Sequence, residues 1–130
     1  MKRILLFCLI IFGIILNWTP VYPGEEELNN SLISEVMGGN PEMVQHWVDQ
    51  GGDPNAEVQS GQYAGRSLLY MAARAGHIEC VKILLSAGAD VNGKDPYYGE
   101  TPLDVAIRWG HPEIVKILEE AINKQQHESD

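Results

Sequence analysis

The sequence predicts an all-α solenoid of three helix-turn-helix units. One observation is that Gly76-His77 reappears 34 residues later as Gly110-His111. Another is that Gly51-Gly52-Asp53-Pro54-Asn55 reappears 37 residues later as Gly88-Ala89-Asp90-Val91-Asn92. The apolar residues between these motifs follow helical spacing, and a period of roughly 20–50 residues is typical of stacked repeats. We therefore expect a repeat domain over 25–124, with units at about 26–59, 60–95 and 96–124.

The composition is that of one globular domain. The chain has 130 residues, of which 45% are apolar, 8% aromatic and 21% charged. Nine basic residues stand against 18 acidic ones, which gives a net charge of −9. Such a surface repels phosphate backbones, so the charge argues against nucleic-acid binding. The length excludes a large multidomain enzyme, and two cysteines cannot form a disulfide framework.

The N-terminal segment has the pattern of a secretory signal peptide. Lys2 and Arg3 precede the uncharged stretch Ile4–Leu16, and a basic start before a short apolar run is typical of such leaders. We expect residues 1–24 to direct export to the periplasm or the exterior. The residues that follow offer no obvious cleavage site, so the alternative is a retained membrane anchor reaching Tyr22, with Trp18 at the interface.

Removal of the leader would change the charge and the thiol count. The remaining chain would carry 7 basic and 18 acidic residues, a net charge of −11. Cys80 would be its only cysteine, which excludes an internal disulfide. Cys80 occupies the place of Met43 and Ile114 in the other units, so we expect a buried thiol that packs like a small hydrophobe.

The first helix of each unit is best marked in the last unit. The Thr101 hydroxyl can accept an amide proton of the first turn. Pro102 follows at the first helical position, where a missing N–H has little cost. Leu103 and Ala106, with Ile107, lie at helical spacing and are expected to face the core. Gly110 comes next, because glycine adopts most easily the left-handed conformation that ends a helix.

The second helix opens at His77 in the middle unit and at His111 in the last unit. In the last unit Pro112 stands at the first turn, followed by Glu113, whose charge favours a helix N-terminus. Leu84 lies on the apolar face of the middle unit's second helix. We expect both histidines to brace the helix start and to hydrogen-bond a neighbouring loop.

The end units carry polar positions that suit caps of an open stack. Glu35 replaces the first alanine of the middle unit's Ala72-Ala73 pair, and Glu119 stands where the middle unit has a leucine. Terminal repeats need such polar outer faces. We expect the last helix to continue to about Asn123, and residues 125–130 to form a solvated polar tail.

The repeated unit resembles the ankyrin repeat. This resemblance covers about three quarters of the chain and implies two antiparallel helices followed by a β-hairpin loop in each unit. The segments that carry the resemblance are Gly99-Glu100-Thr101-Pro102-Leu103, Ala72-Ala73, Gly76-His77, Val81-Lys82-Ile83-Leu84-Leu85 and Gly88-Ala89-Asp90-Val91-Asn92.

Two departures from the family pattern concern the loops. Tyr70 and Asp104 stand where the family often has a histidine, and Ser67-Leu68-Leu69 replaces Thr-Pro-Leu. Ser67 still supplies a capping hydroxyl. The family's usual hydrogen-bond network between neighbouring loops is therefore not carried over to this chain.

The resemblance implies a protein-binding surface at the hairpin tips and on the exposed face of the first helices. Trp, Tyr and Arg dominate binding hot spots, and all three arginines outside the leader fall in this set. The alternative is that Tyr97 and Tyr98 merely pack on the adjoining helix and that Trp109 covers an open end. The predicted contact residues are Tyr63, Arg66, Arg74, Tyr97, Tyr98, Glu100, Arg108 and Trp109, beside Gln62 and Ala75.

No catalytic or metal site is visible in the sequence. The histidines lack partners at ligand spacing, and no phosphate loop or nucleophile motif occurs. We expect no cofactor, no small-molecule substrate and no enzymatic activity. A redox role for Cys80 is the enzymatic alternative, and it would require an exposed thiol in a basic environment.

Together these features predict an exported protein-interaction module with a scaffold or protective role. Its negative charge favours a basic protein partner. The alternative within this class is an immunity protein that neutralises an exported toxin. A further alternative is an envelope factor tethered by an intact N-terminal anchor, and membrane contact is expected only in that case.

Overall fold

The computed structural model describes residues 24–128, so the predicted leader lies outside the described residues except for Gly24. Each predicted unit contributes two α-helices, and the second unit begins with a short 3-10 helix over Gly61–Tyr63. In this part of the chain the helices are α1 (Glu25–Gly38), α2 (Pro41–Asp49), α3 (Leu68–Ala75), α4 (Ile78–Ser86), α5 (Pro102–Trp109) and α6 (Pro112–Glu128).

The helices stack in two layers. Within each unit the two helices pack on each other, α1 on α2, α3 on α4 and α5 on α6. The first helices α1, α3 and α5 also contact their neighbours along the stack, and so do the second helices α2, α4 and α6. The middle unit is therefore covered on both sides, as the predicted all-α repeat fold requires.

The core is continuous along the stack. Leu32 of α1, Leu84 of α4 and Leu118 of α6 are all fully buried. Small side chains permit the close approach of the first helices, since Ala72 and Ala106 have no exposed surface. Each unit therefore buries its apolar face against its neighbours, which is the source of stability in solenoids.

The predicted helix caps are present. The Ser67 hydroxyl accepts a hydrogen bond from the amide of Tyr70 at 3.1 Å. The Thr101 hydroxyl accepts from the amide of Asp104 at 3.2 Å, while the Asp104 carboxylate accepts from the amide of Thr101 at 3.0 Å. This reciprocal pair is a capping box, so Asp104 has a local role in place of the family's histidine.

The two histidines connect successive units. Nε2 of His77 lies 3.4 Å from the carbonyl oxygen of Met37, and Nε2 of His111 lies 3.0 Å from that of Arg74. The prediction of a bond to a neighbouring loop was wrong, because each ring instead reaches the last turn of the first helix of the preceding unit. The His77 side chain makes no capping bond at the start of α4.

The loops depart from the expected β-hairpins, since the residues between 24 and 128 contain no strand. One isolated antiparallel bridge pairs Glu57 with Ser67. In the next loop the amide of Asp95 donates to the carbonyl of Glu100 at 2.8 Å, and that of Gly99 donates to the carbonyl of Asp95 at 2.9 Å. In the described part of the chain, the pairing within these loops thus stops short of a strand ladder.

Asparagine side chains tie the loops together across the units. Oδ1 of Asn55 accepts from the amide of Asp90 at 2.7 Å, and Nδ2 of Asn55 donates to the carbonyl of Gly88 at 3.3 Å. Within the first unit, Oδ1 of Asn29 on α1 accepts from the amide of Asp53 at 3.0 Å, which ties that loop to its own first helix. A network between loops therefore exists without the histidines that the family often uses.

The last helix is longer than predicted. It continues through Glu128 rather than ending near Asn123, so most of the predicted tail is helical. Residues 123–128 are exposed. Among residues 24–128, no helix has both the length and the apolar character needed to cross a membrane.

Candidate functional site

Six of the eight predicted contact residues line one cleft of about 290 Å³. It lies between the loops that precede α3 and α5 and the exposed ends of those helices. The remaining two, Tyr97 and Glu100, contact residues of its wall. The lining residues are Gln62, Tyr63, Arg66, Tyr70, Arg74, Tyr98, Arg108 and Trp109.

Arg74 lines the cleft and contacts two of its aromatic rings. Its guanidinium carbon lies 5.2 Å from the centre of the Tyr63 ring and 4.6 Å from that of Trp109. One terminal nitrogen donates to the Tyr63 hydroxyl at 3.4 Å. The two rings belong to successive units, so the cation–π contacts of Arg74 join the units and fix the position of its charge.

Arg66 is buried, contrary to the expectation that it lies exposed at a hairpin tip. Its Nε donates to Oδ2 of Asp95 at 2.9 Å, and the exposed fractions of the two side chains are 10% and 0%. The rings of Tyr63, Tyr70 and Tyr97 lie 5.4–5.5 Å from its guanidinium carbon. Arg66 therefore forms part of the cleft floor and braces two loops.

Asp95 organises the loop that carries the two exposed tyrosines. Its Oδ1 accepts hydrogen bonds from the amides of Tyr97, Tyr98 and Gly99. Burial alone would raise the pKa of Asp95, but the Tyr98 amide and the Arg66 guanidinium outweigh burial and hold that pKa below its ordinary value. The ionised carboxylate is thus the stable form in the fold.

Glu100 connects the other arginine of the cleft to Tyr70. Its Oε1 accepts from Arg108 at 2.8 Å, and its Oε2 accepts from the Tyr70 hydroxyl at 3.1 Å. Burial, followed by this hydrogen bond, raises the pKa of Tyr70 to about 12. Tyr70 therefore stays neutral at physiological pH and serves as a donor to Glu100.

The rim of the cleft exposes large aromatic side chains. Tyr98 is 72% exposed, Tyr97 59% and Trp109 50%. Ile107 of α5, which was expected to face the core, is instead 59% exposed. Tyr97 also contacts Arg66, so part of its ring has a packing role, whereas Tyr98 extends into solvent.

Cys80 is a free thiol that is 1% exposed, which confirms the predicted burial. Burial, with the nearby charge of Glu79, raises its pKa. A protonated thiol in such surroundings is a poor nucleophile. Within residues 24–128 no group of three or more His, Cys, Asp or Glu side chains is placed to hold a metal ion; the absence of enzymatic activity stays a prediction.

Two residues of the site were missed by sequence reasoning. Tyr70 was noted only as a departure from the family pattern, although its ring and hydroxyl face Arg66 and Glu100. Asp95 precedes Pro96, and Asp before Pro is a common turn start. That signal could have identified the loop, whereas the pairing of Asp95 with Arg66 depends on the stacking of two units.

The fold is a repeat solenoid, and the cleft is formed by its loops and first helices. A family model described as ankyrin repeats (3 copies) matches residues 32–128. The chain therefore belongs to the ankyrin-repeat family, as its motifs predicted.

Two curated proteins share part of the sequence. Each is named NF-kappa-B inhibitor cactus, one from Drosophila yakuba and one from Drosophila melanogaster, and each is 40% identical to this chain over 47 residues. The match covers 36% of this chain but only 10% and 9% of the two relatives. The chain thus spans about a tenth of their length. Family and relatives support a protein-interaction module.

Proposed function

We propose that this protein is an exported interaction module that binds a partner protein through the cleft and its aromatic rim. The observation that carries the proposal is the convergence of Arg74, Tyr98, Arg108 and Trp109 on one surface. Arginine and aromatic residues provide most of the binding energy at protein interfaces. A specific interface needs roughly 800 Å² from each partner, an area within reach of three units.

Affinity capture with matched variants tests this proposal. The full chain serves as bait in an envelope extract, and captured proteins are then measured against purified variants. Trp109→Ala and Tyr98→Ala should each weaken binding by about tenfold or more, because a hot-spot truncation costs about 2 kcal/mol. Glu120→Ala, an exposed position on α6, serves as the control. Equal affinity of all four proteins for the partner would refute the proposed surface.

Export is the second part of the proposal, supported by the basic start and the apolar stretch Ile4–Leu16. A fusion of the full chain to a phosphatase that is active only outside the bacterial cytoplasm tests it. We expect activity from the fusion, and loss of activity when Leu9→Arg and Ile14→Arg interrupt the apolar stretch. Fractionation then separates a cleaved, soluble product from a tethered one. Equal activity of both fusions would contradict export by this segment.

The role of the module is proposed to be scaffolding or protection of an envelope protein. A second candidate is the neutralisation of an exported toxin, favoured by the two relatives being named as inhibitors. The excess of acidic residues would speed the approach of a basic partner in either role. Co-expression separates the two roles. A captured partner is a toxin if it arrests growth when expressed alone but not when expressed together with this chain. A partner that loses its activity when this chain is not expressed is a protected client.

A further inference from the structure

The cleft carries an excess of positive charge on a strongly negative protein. Arg66 is neutralised by Asp95, and Arg108 by Glu100. Arg74 makes no ion pair within residues 24–128, and its contacts there are with aromatic rings and a hydroxyl. One guanidinium without a counter-charge in the described residues therefore lines the cleft, although the whole chain has a net charge of −9.

The contacts of Arg74 leave it ready to accept an anion. A guanidinium has five N–H donors, and a single bond, to the Tyr63 hydroxyl, accounts for one of them. The flanking rings of Tyr63 and Trp109 limit its movement, so little side-chain entropy remains to be lost on binding. The planar fork of arginine suits a carboxylate, which it can bind through two parallel hydrogen bonds.

The rim determines what else the occupant must contain. Tyr98 and Trp109 both line the cleft and offer exposed aromatic surface beside the charge, which suits a polypeptide segment better than a lone ion. At about 290 Å³ the cleft is small, at the lower end of the sizes found for ligand pockets. That volume suits one or two side chains inserted from a protein surface.

We propose that the Arg74 cleft is a subsite for an Asp or Glu side chain of the protein partner. This inference rests on the proposed function and names the chemistry that the partner must present there. It is compatible with a partner that is basic overall, since net charge governs the approach whereas the local pair fixes the docked arrangement. The acidic side chain would enter between Tyr98 and Trp109, and its carboxylate would bind the edge of the Arg74 guanidinium.

The proposal can be tested by selecting short random peptides, displayed on phage, for binding to the purified full chain. Enriched peptides are sorted by their sensitivity to Trp109→Ala and Tyr98→Ala, then synthesised with each acidic residue exchanged for its amide. Affinities are measured for the wild type, Arg74→Gln and Arg74→Lys. Lys116→Gln, which removes an exposed charge outside the cleft, is the control for net charge.

We expect one acidic position whose exchange for the amide weakens binding to the wild type by about tenfold, the order of a charged hydrogen-bonded pair. The same exchange should have no effect on Arg74→Gln and a reduced effect on Arg74→Lys, which keeps the charge but loses the fork. Lys116→Gln should behave as the wild type. Melting curves verify the fold of each variant, and Arg74→Lys keeps the test decisive should Arg74→Gln fail to fold.

Three results would overturn the subsite while leaving the proposed surface intact. The first is that no peptide is enriched, and the second is that peptides sensitive to the rim substitutions need no acidic residue. The third is that the amide exchange weakens binding to Arg74→Gln as much as it weakens binding to the wild type. Binding that appears only when phosphoserine replaces the acidic residue would assign the cleft to phosphate and also overturn the carboxylate assignment. Peptides insensitive to both Trp109→Ala and Tyr98→Ala would instead contradict the proposed function itself.

Discussion

Asp95 and Arg66 form an ion pair between two loops, and removal of either partner has different consequences. Without the Asp95 side chain, the guanidinium of Arg66 is left buried without its counter-charge, and the amides of Tyr97 and Tyr98 lose their acceptor, whereas the Gly99 amide keeps its bond to the backbone carbonyl of residue 95. Without Arg66, the Asp95 carboxylate keeps its hydrogen bonds from the amides of Tyr97, Tyr98 and Gly99. The loss of one partner of a buried pair is costly because the other charge remains desolvated.

We therefore expect Asp95→Ala to lower the free energy of unfolding by roughly 2–3 kcal/mol, and Arg66→Met by about 1–2 kcal/mol. Urea unfolding followed by circular dichroism measures both values. Lys82→Met, which removes an exposed ion pair with Glu79, should change the free energy by less than about 0.5 kcal/mol. A larger loss for Arg66→Met than for Asp95→Ala would show that the amide bonds of Asp95 contribute little.

The lowered pKa of Asp95 also predicts a dependence of stability on pH. Because the folded form favours the ionised carboxylate, this group stabilises the fold above the ordinary pKa of 3.8, and the contribution disappears as the pH falls through the lower folded value. The difference in unfolding free energy between the wild type and Asp95→Asn should shrink as the pH is lowered from 5 to 2.5. Tyr70→Phe should leave the pH dependence of the unfolding free energy between pH 5 and 2.5 unchanged. The pKa of Tyr70 is about 12, so its ionisation affects stability only in alkaline solution. A constant difference across the range would contradict the role assigned to the carboxylate.

At the scale of the helices, the caps also serve the stacking of units. Gly76 ends α3 with a φ of +82°, in the left-handed region that favours glycine. A Cβ at this position would lie 2.7 Å from Cε1 of His111 in the next unit. Gly110 ends α5 with a φ of +74°, but a Cβ there would meet no atom within 4 Å. In the described part of the chain, no further unit packs against this end of α5.

This contrast predicts unequal costs for the same substitution. Gly76→Ala and Gly110→Ala both incur the cost of a left-handed alanine, about 1 kcal/mol. Gly76→Ala should lose about 1 kcal/mol or more in addition, because the His111 ring must move and its bond to the Arg74 carbonyl weakens. Thermal melting of both variants gives the difference. In a His111→Ala background the two substitutions should cost the same; a persistent excess at Gly76 would place its cause elsewhere.

The sequence allowed the helices to be predicted more fully than the site. The repeated Gly-His pairs, the Ser67 and Thr101 caps and the apolar spacing are local signals, and each corresponds to an observed contact. The end of α6 was missed because polar residues such as Lys124 are compatible with both a helix and a tail.

In the site, residue types could be predicted but their partners could not. The arginines and aromatic residues were identified from their positions in the unit. Which arginine would be buried depended on Asp95, 29 residues away in the next loop. That pairing is set by the stacking of units, and no local pattern encodes it. The same holds for Arg74, whose two aromatic neighbours belong to different units.

For the whole molecule, the stacking implies that no unit is stable alone. The middle unit is covered on both sides, while each end unit depends on it for burial. In a stack of only three units, the loss of one interface removes about half of the contacts between units. The described part of the chain should therefore unfold as one cooperative body, with a modest free energy of unfolding and with a melting temperature that a bound partner raises.

Two tryptophans at opposite ends of the stack allow this cooperativity to be measured. Trp47 lies in the first unit and Trp109 in the last. With Trp18→Phe in the background, Trp47→Phe and Trp109→Phe leave one reporter each. The fluorescence transition in urea should coincide with the loss of helical circular dichroism in each variant.

Leu84→Ala in the fully buried centre should shift both transitions together, by about 2–5 kcal/mol of unfolding free energy. Leu118→Ala in the last unit is the matched change at an end, and it too should move both reporters. A Trp47 signal that stays in place while the Trp109 signal moves would show that the first unit holds its core without the others, contrary to a stack whose members are stable only together.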